Sequence, residues 1–317
     1  MRGHCFVNGV EKHVKCAYVG VNGKAQYIMK PPGIIKYGGT VKELSAGRYE
    51  LAATTVGNYA LFGGGIGPKE YCATVDAYDS SLTRTTATDL IRRRRGLTAT
   101  TVGNYALFGG GYSNDSMALV DAYNSSLTRT NPTALSVGRH IHAATTVGKY
   151  ALFGGGYYYK DKTCYSTVDA YNTSLTRTNP TALSAGRYNL AATAVGNYAL
   201  FAGGIISSGK YASTVDTYNS SLTRTTATSL NAARYRLAAT TVCNYALFAG
   251  GTSGGTRRAT VDAYNTSLTR TNPTALSVGR YDLAATAVGN YALFAGGLNV
   301  SYPSTVDAYT YNDGYIP

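Results

Sequence analysis

The chain has 317 residues, 44% of them hydrophobic and only 14% charged, with 37 glycines, 29 tyrosines and a net charge of +13. That balance excludes a coiled coil or a disordered tail, and with no run of 18 apolar residues there is no transmembrane helix to expect. The net charge allows nucleic acid or an anionic surface as a partner, but eleven of the arginines occupy two repeated positions. Only Arg92-Arg93-Arg94-Arg95 is a basic run, too isolated to argue for nucleic acid.

The start, Met1-Arg2-Gly3-His4-Cys5, lacks the apolar core of a signal peptide, so any display outside a cell would need another route. Five cysteines (Cys5, Cys16, Cys72, Cys164, Cys243), an odd number without short paired spacing, read as reduced thiols rather than a zinc or disulfide framework. In the first 33 residues, Phe6-Val7-Asn8-Gly9-Val10 is echoed by Val19-Gly20-Val21-Asn22-Gly23-Lys24. Asn-Gly between β-formers is a strong hairpin signal, because both turn residues need positive φ. Residues 1–33 are therefore expected to be a two-hairpin attachment segment, ended by Pro31-Pro32-Gly33.

From Ile34 onward a repeat takes over. A stretch of the form Asn290-Tyr291-Ala292-Leu293-Phe294 occurs six times, with tyrosines at 59, 105, 150, 198, 245 and 291, so the step is 45 to 48 residues. Each unit reads as four strands. In the first they are Leu51–Val56, Tyr59–Phe62, Thr74–Tyr78 and Leu82–Thr85, with Gly57-Asn58 and Asp79-Ser80-Ser81 as turns. Four short strands per repeat of about 45 residues is the pattern of a propeller blade. The sixth unit stops at Pro317 without its outer strand, and Ile35-Lys36-Tyr37-Gly38 aligns with Ser126-Leu127-Thr128-Arg129. The expectation is an all-β, six-bladed propeller over residues 34–317, closed by Ile34–Gly38 beside Thr305–Thr310, which would leave no sheet edge at the seam.

The order of a small-apolar strand, Phe before a glycine doublet, Val-Asp-x-Tyr, an outer strand and Gly-Arg resembles the kelch repeat across residues 34–317. Its outer strand carries Leu and Thr where that family usually has tryptophan, which this chain lacks. The leader, Val14 to Ala25, resembles short repeats in tail-associated proteins of phages and prophages of Gram-positive bacteria. The two resemblances together imply a virion or extracellular setting, with residues 1–33 gripping a tail or baseplate protein.

Comparison among the units locates the variable parts. From the tyrosine of Val-Asp-x-Tyr to the next Asn-Tyr-Ala-Leu-Phe tyrosine the distance is always 27, so all length variation lies in the loops Ile66–Thr74, Tyr112–Leu119, Tyr157–Thr167, Ile205–Thr214, Thr252–Thr260 and Leu298–Thr305. A second variable spot follows the repeated arginine: Tyr49-Glu50, Arg95-Gly96, His140-Ile141, Tyr188-Asn189, Tyr235-Arg236 and Tyr281-Asp282. In an up-and-down blade both emerge on one face, and loops on a rigid scaffold are where recognition is placed. The candidate ligand-binding residues are therefore Tyr49, Glu50, Arg95, His140, Tyr188, Asn189, Tyr235, Arg236, Tyr281 and Asp282. Tyr112, Tyr157, Tyr158, Tyr159 and Lys160 are added as an outer rim.

Six arginines (48, 94, 139, 187, 234, 280) match six aspartates (76, 121, 169, 216, 262, 307), which suggests buried structural pairs, with an anion-binding ring as the sharper alternative. His140 and His142, two apart entering a strand, would share a face. The resemblance to kelch-type enzymes that hold copper with His, Tyr and Cys raises a metal site, but the body offers no third histidine. No Gly-x-Ser-x-Gly elbow, P-loop or His-Glu-x-x-His occurs, and nothing pairs Glu50 with Asp282 for acid–base work. Asn124-Ser125-Ser126 and its copies fit a glycosylation pattern and, more simply, a tight turn. The expected function is non-enzymatic recognition of a host-surface glycan or protein, without cofactor, catalytic residue or metal. The alternatives are an intracellular kelch adaptor binding a protein, and a kelch-type enzyme.

Overall fold

A computed structural model describes residues 41–300 and 302–310 and, near the N-terminus, four short strands. The chain divides into two units, Met1–Val41 with Tyr311–Pro317, and Lys42–Thr310. In the first unit His4–Val7 pairs antiparallel with Val10–His13, and Tyr18–Val21 with Lys24–Tyr27. These are the two hairpins expected from the Asn-Gly dipeptides.

The second unit is built on six consecutive antiparallel blade sheets, with short two-stranded ribbons beside four of them, and every regular element among the described residues is a strand. Blade 1 comprises Ala52–Val56, Tyr59–Gly63, Val75–Tyr78 and Arg84–Ala87. Blades 2 to 5 repeat that order, and blade 6 has Ala284–Val288, Tyr291–Ala295 and Val306–Thr310. The six-bladed propeller read from the repeats is what the chain forms. The outer strands start at Arg84 rather than Leu82, because Leu82 and its copies Leu127, Leu175, Leu222 and Leu268 sit at φ of 58–62° in the turn before it.

Why each strand has its composition follows from where it lies. Inner strands line the axis, where only small side chains fit, and their threonines tie neighbours together. Thr101 Oγ1 donates to the Thr55 carbonyl (2.6 Å) and accepts from Thr54 (2.8 Å). Thr100 and Thr146 repeat the contact between blades 2 and 3. In blades 2 to 5 the second strands are covered on both faces by adjacent blades, which suits the unbroken run Ala-Leu-Phe, fully buried in blades 2 to 4. From blade 2 onward the phenylalanine presses on the preceding blade: a Cβ on Gly109 would stand 2.8 Å from the Phe153 ring. Within a blade that ring also meets the third-strand tyrosine edge-on, as Phe153 does Tyr171 at 5.9 Å. The Tyr171 hydroxyl donates to the Thr133 carbonyl (2.7 Å), which pins the link to the sheet.

The repeated arginines and aspartates are structural pairs within each blade. Nη2–Oδ2 distances run from 2.6 to 2.8 Å in all six, and every arginine side chain is fully buried. The arginine also donates to the phenylalanine carbonyl of the second strand, as Arg139 does to Phe153 at 3.0 Å. The aspartate accepts the amide of the incoming link, as Asp169 does from Ser136 at 3.0 Å. With the guanidinium thus sealed, the ring of arginines is not an anion site. A third donor alternates between blades. In blades 2, 3 and 5, Asn131, Asn179 and Asn272 give Nδ2 to the aspartate at 2.8–3.0 Å. Blades 1 and 4 carry Thr86 and Thr226 there, and Arg84 and Arg224 swing in to donate at 2.8 Å instead.

The face bearing the Gly-Asn turns is constant for a packing reason. Asn124 Oδ1 accepts from the Ser126 and Thr128 amides (3.0 Å each), and Asp79 does the same in blade 1. The turn needs only an oxygen there, so the glycosylation pattern is the tight turn's own residue choice. Its next residue meets the preceding blade: a Cβ on Gly103 would lie 3.0 Å from Thr173.

Among the described residues, five apolar interfaces join the six blades in order. On the side of blade 6 away from blade 5, Val288 and Val306 are 51% and 55% exposed, while the equivalent Val242 and Val261 of blade 5 are buried. The strand expected to complete blade 6, Ile34–Gly38, lies outside the described residues.

Candidate functional site

The two variable regions meet on one face. The first residue of each link bridges to the first loop residue after the glycine doublet of its own blade: Tyr49 to Ile66, Arg95 to Tyr112, His140 to Tyr157, Tyr188 to Ile205, Tyr235 to Thr252 and Tyr281 to Leu298. The bridges are paired backbone hydrogen bonds, such as Tyr49 N–H to Ile66 O at 3.0 Å and Ile66 N–H to Tyr49 O at 2.7 Å. The glycine doublet is needed because its residues turn at φ near +70° and +110° under the next link. A Cβ on Gly110 would stand 2.5 Å from the Arg139 carbonyl.

The second link residues form an inner circle. Glu50, Gly96, Ile141, Asn189, Arg236 and Asp282 all lie at φ between 46° and 59°. The Gly96 amide donates to the Glu50 carbonyl, Ile141 to Gly96, Asn189 to Ile141, Arg236 to Asn189 and Asp282 to Arg236, at 2.9–3.2 Å. A left-handed turn costs a non-glycine residue about 1–2 kcal/mol, and these inter-blade bonds offset it. The backbone does the structural work here, so the side chains vary freely.

Those side chains, with the loops, build an arc of rings and guanidinium groups. Arg95 lies between the Tyr71 and Tyr112 rings at 5.8 and 5.3 Å from their centroids and pairs with Glu50 at 2.8 Å. Tyr112 touches His140 at 5.3 Å and Tyr159 at 5.6 Å, His140 touches Tyr157, and Tyr157 leans on Tyr188 at 4.8 Å. Further round, Tyr211 stacks on Tyr235 at 5.0 Å. Arg236 lies between Tyr235 and Tyr281 at 5.8 and 5.7 Å and pairs with Asp282 at 3.3 Å. Burial pushes the Asp282 carboxyl up, and nearby Glu50 adds to that against the pull of Arg236. Tyr112 and Tyr157 thus belong to the arc itself rather than to a rim. Tyr158, through its hydroxyl on Asp115 at 3.3 Å, and Lys160, paired with Asp115 at 2.9 Å, lean the blade 3 loop on blade 2. Asn189 contributes its backbone to the inner circle. Behind the arc the channel, about 460 Å³, is lined by inner-strand threonines and alanines.

The two histidines do not share a face, because left-handed Ile141 breaks the alternation between them. His140 Nδ1 meets Ser116 Oγ at 3.0 Å, and burial, with Arg95 adding repulsion, pushes its pKa down to about 4. His142 is entirely buried where the other blades carry leucine, and Nε2 meets Thr98 Oγ1 at 2.7 Å. Thr98 in turn stands where the other inner strands begin with alanine, so this is a matched core pair. Among the described residues no three His, Cys, Asp or Glu side chains converge as for a metal. The basic run is divided: Arg94 is buried against Asp121, Arg93 pairs with Glu70, and Arg95 sits in the arc.

Sequence reasoning passed over Tyr71 and Tyr211. Both loops begin with isoleucine, and both tyrosines bridge back to it (Ile66 to Tyr71, Ile205 to Tyr211). That shared Ile…Tyr pattern was the available signal.

No protein-family model matches the chain, and no curated protein sequence does. The solved structure of YjhT superposes with a TM-score of 0.68, covering 86% of this chain and 98% of that one at 13% sequence identity. The likeness is one of fold.

Proposed function

We propose that the chain is a non-enzymatic recognition module that binds a host-surface glycan or protein through the variable face. In this reading a phage or prophage tail displays it, with residues 1–33 as the attachment segment. The divergence between faces does not by itself support this, since the opposite face is constrained by its own packing. The supporting observation is the chemistry of the variable face: tyrosine in four blades, with Arg95 and His140 in the other two, stands on equivalent backbone positions, and these side chains meet loop rings in two runs, Arg95 to Tyr188 and Tyr211 to Tyr281. Tyrosine combines an apolar face with a polar tip and loses little entropy on binding, which suits sugar rings and peptide surfaces alike. The tail setting rests on the leader's resemblance and on its two hairpins.

The test is binding of the full chain to cell walls from Gram-positive bacteria. Replacing Tyr188, Tyr235 and Tyr281 together by alanine should abolish binding while the circular dichroism spectrum is kept. Alanine at Asn58, Asn104 and Asn197, on the opposite face, should leave it unchanged. The reverse pattern sinks the face assignment, and turnover of a wall sugar by the purified protein sinks the non-enzymatic reading.

A further inference from the structure

Within the variable face, blades 1 and 2 enclose an open cavity of about 670 Å³, inside the roughly 300–1,000 Å³ range of small-ligand sites. Tyr49 stands over it. Its backbone is locked to Ile66, the residue is 61% exposed, and among the described residues its ring has no aromatic or guanidinium neighbour. In this it differs from its counterparts Tyr188, Tyr235 and Tyr281, whose rings are each engaged. Tyr71 and Pro68 add apolar wall. The polar lining is an Arg93–Glu70 ion pair, with both side chains more than half exposed, together with Lys69 and Asn114.

The lining discriminates between ligand chemistries. An anion would meet Glu70, and a cation would meet Lys69 and Arg93. An apolar peptide anchor wants a deep desolvated well, and this cavity is open and rimmed by charge. A hydroxyl is donor and acceptor at once, so vicinal hydroxyls match a guanidinium beside a carboxylate with an amide close by. The C–H face of a sugar ring matches a bare tyrosine ring.

We infer that this cavity binds an uncharged pyranose unit of a surface polysaccharide, with Tyr49 as the stacking platform and Arg93, Glu70 and Asn114 reading the hydroxyls. The inference rests on the variable-face reading and narrows its ligand from glycan or protein to glycan.

The experiment uses the full chain and cell walls from a panel of Gram-positive bacteria, each divided into untreated, protease-treated and periodate-oxidised portions, periodate cleaving vicinal diols. Binding should survive protease and fall at least about tenfold on periodate treatment and in Tyr49→Ala, the loss typical of removing an aromatic anchor. The chain has no tryptophan, so Tyr49→Trp keeps a platform and adds a single reporter, whose emission should shift when wall polysaccharide is added. Binding that protease removes and periodate spares, or that Tyr49→Ala leaves intact, overturns the sugar site. In that case loss of binding on replacing Tyr188, Tyr235 and Tyr281 would still uphold the face. If no wall binds the wild-type chain, both readings fall.

Discussion

Asp169 faces three donors in blade 3, and the cost of its removal follows from those contacts. The carboxylate is fully buried and accepts Asn179 Nδ2 (2.8 Å) and the Ser136 amide (3.0 Å), with Arg139 Nη2 at 2.7 Å. Asp169→Ala would leave the Arg139 guanidinium, also fully buried, with only the carbonyls of Phe153 (3.0 Å) and Val137 (3.3 Å). Stripping the partner from a buried ion pair costs about 3–5 kcal/mol. The Ser136 amide also loses its acceptor, but Ser136 is exposed and water can replace it. The expected loss is about 4 kcal/mol, which is close to the whole stability of a modest domain. Urea unfolding followed by circular dichroism reads it. Replacing both partners with leucine should recover most of the loss, because apolar replacement of a buried pair is often neutral. A single variant within about 1 kcal/mol of wild type, or a double variant no better than the single, would refute the reasoning.

Arg224→Ala should destabilise more than Arg177→Ala, since Arg224 donates to Asp216 at 2.8 Å while Arg177 stands 3.7 Å from an aspartate already served by Asn179; paired urea midpoints check this. Gly110→Ala should cost several-fold more than Gly109→Ala, because Gly110 is left-handed and tight against a carbonyl, whereas Gly109 has the place that Ala202 and Ala249 fill in blades 4 and 5. His140 and His142 are both held below the ordinary histidine value by burial. Their folded pKa values are depressed, so the unfolded chain takes up protons first and stability should fall as pH drops from about 6.5 toward 4. The double variant Thr98→Ala, His142→Leu, which restores the pairing used by the other blades, should flatten that fall in a melting series across pH.

Much of the scaffold was legible because it is written six times. The spacing of Tyr59 and its copies marked the blades, and equal numbers of arginines and aspartates marked the buried pairs. The inner circle at Glu50 was not legible. Its left-handed turn is stabilised by the neighbouring blade's backbone, whatever the side chain, and Gly96 was the sole cue. Tyr71 and Tyr211 were hidden because loops of unequal length give no register in which to compare them. Reading His140 with His142 failed because alternation along a strand assumes extended backbone, which Ile141 interrupts. The constancy of Asn124 and its copies follows from turn hydrogen bonds, and that of the turn around them from the next residue's contact with the preceding blade.

Hydrogen exchange of the full chain, with and without Gram-positive cell-wall fragments that it binds, tests the central claim most directly. The account predicts slowed exchange in the links around residues 49–50, 95–96, 140–141, 188–189, 235–236 and 281–282 and in the loops beside them, with no change in the turns at 57–58, 103–104 and 196–197. Protection confined to those turns, with the links unaffected, would contradict it.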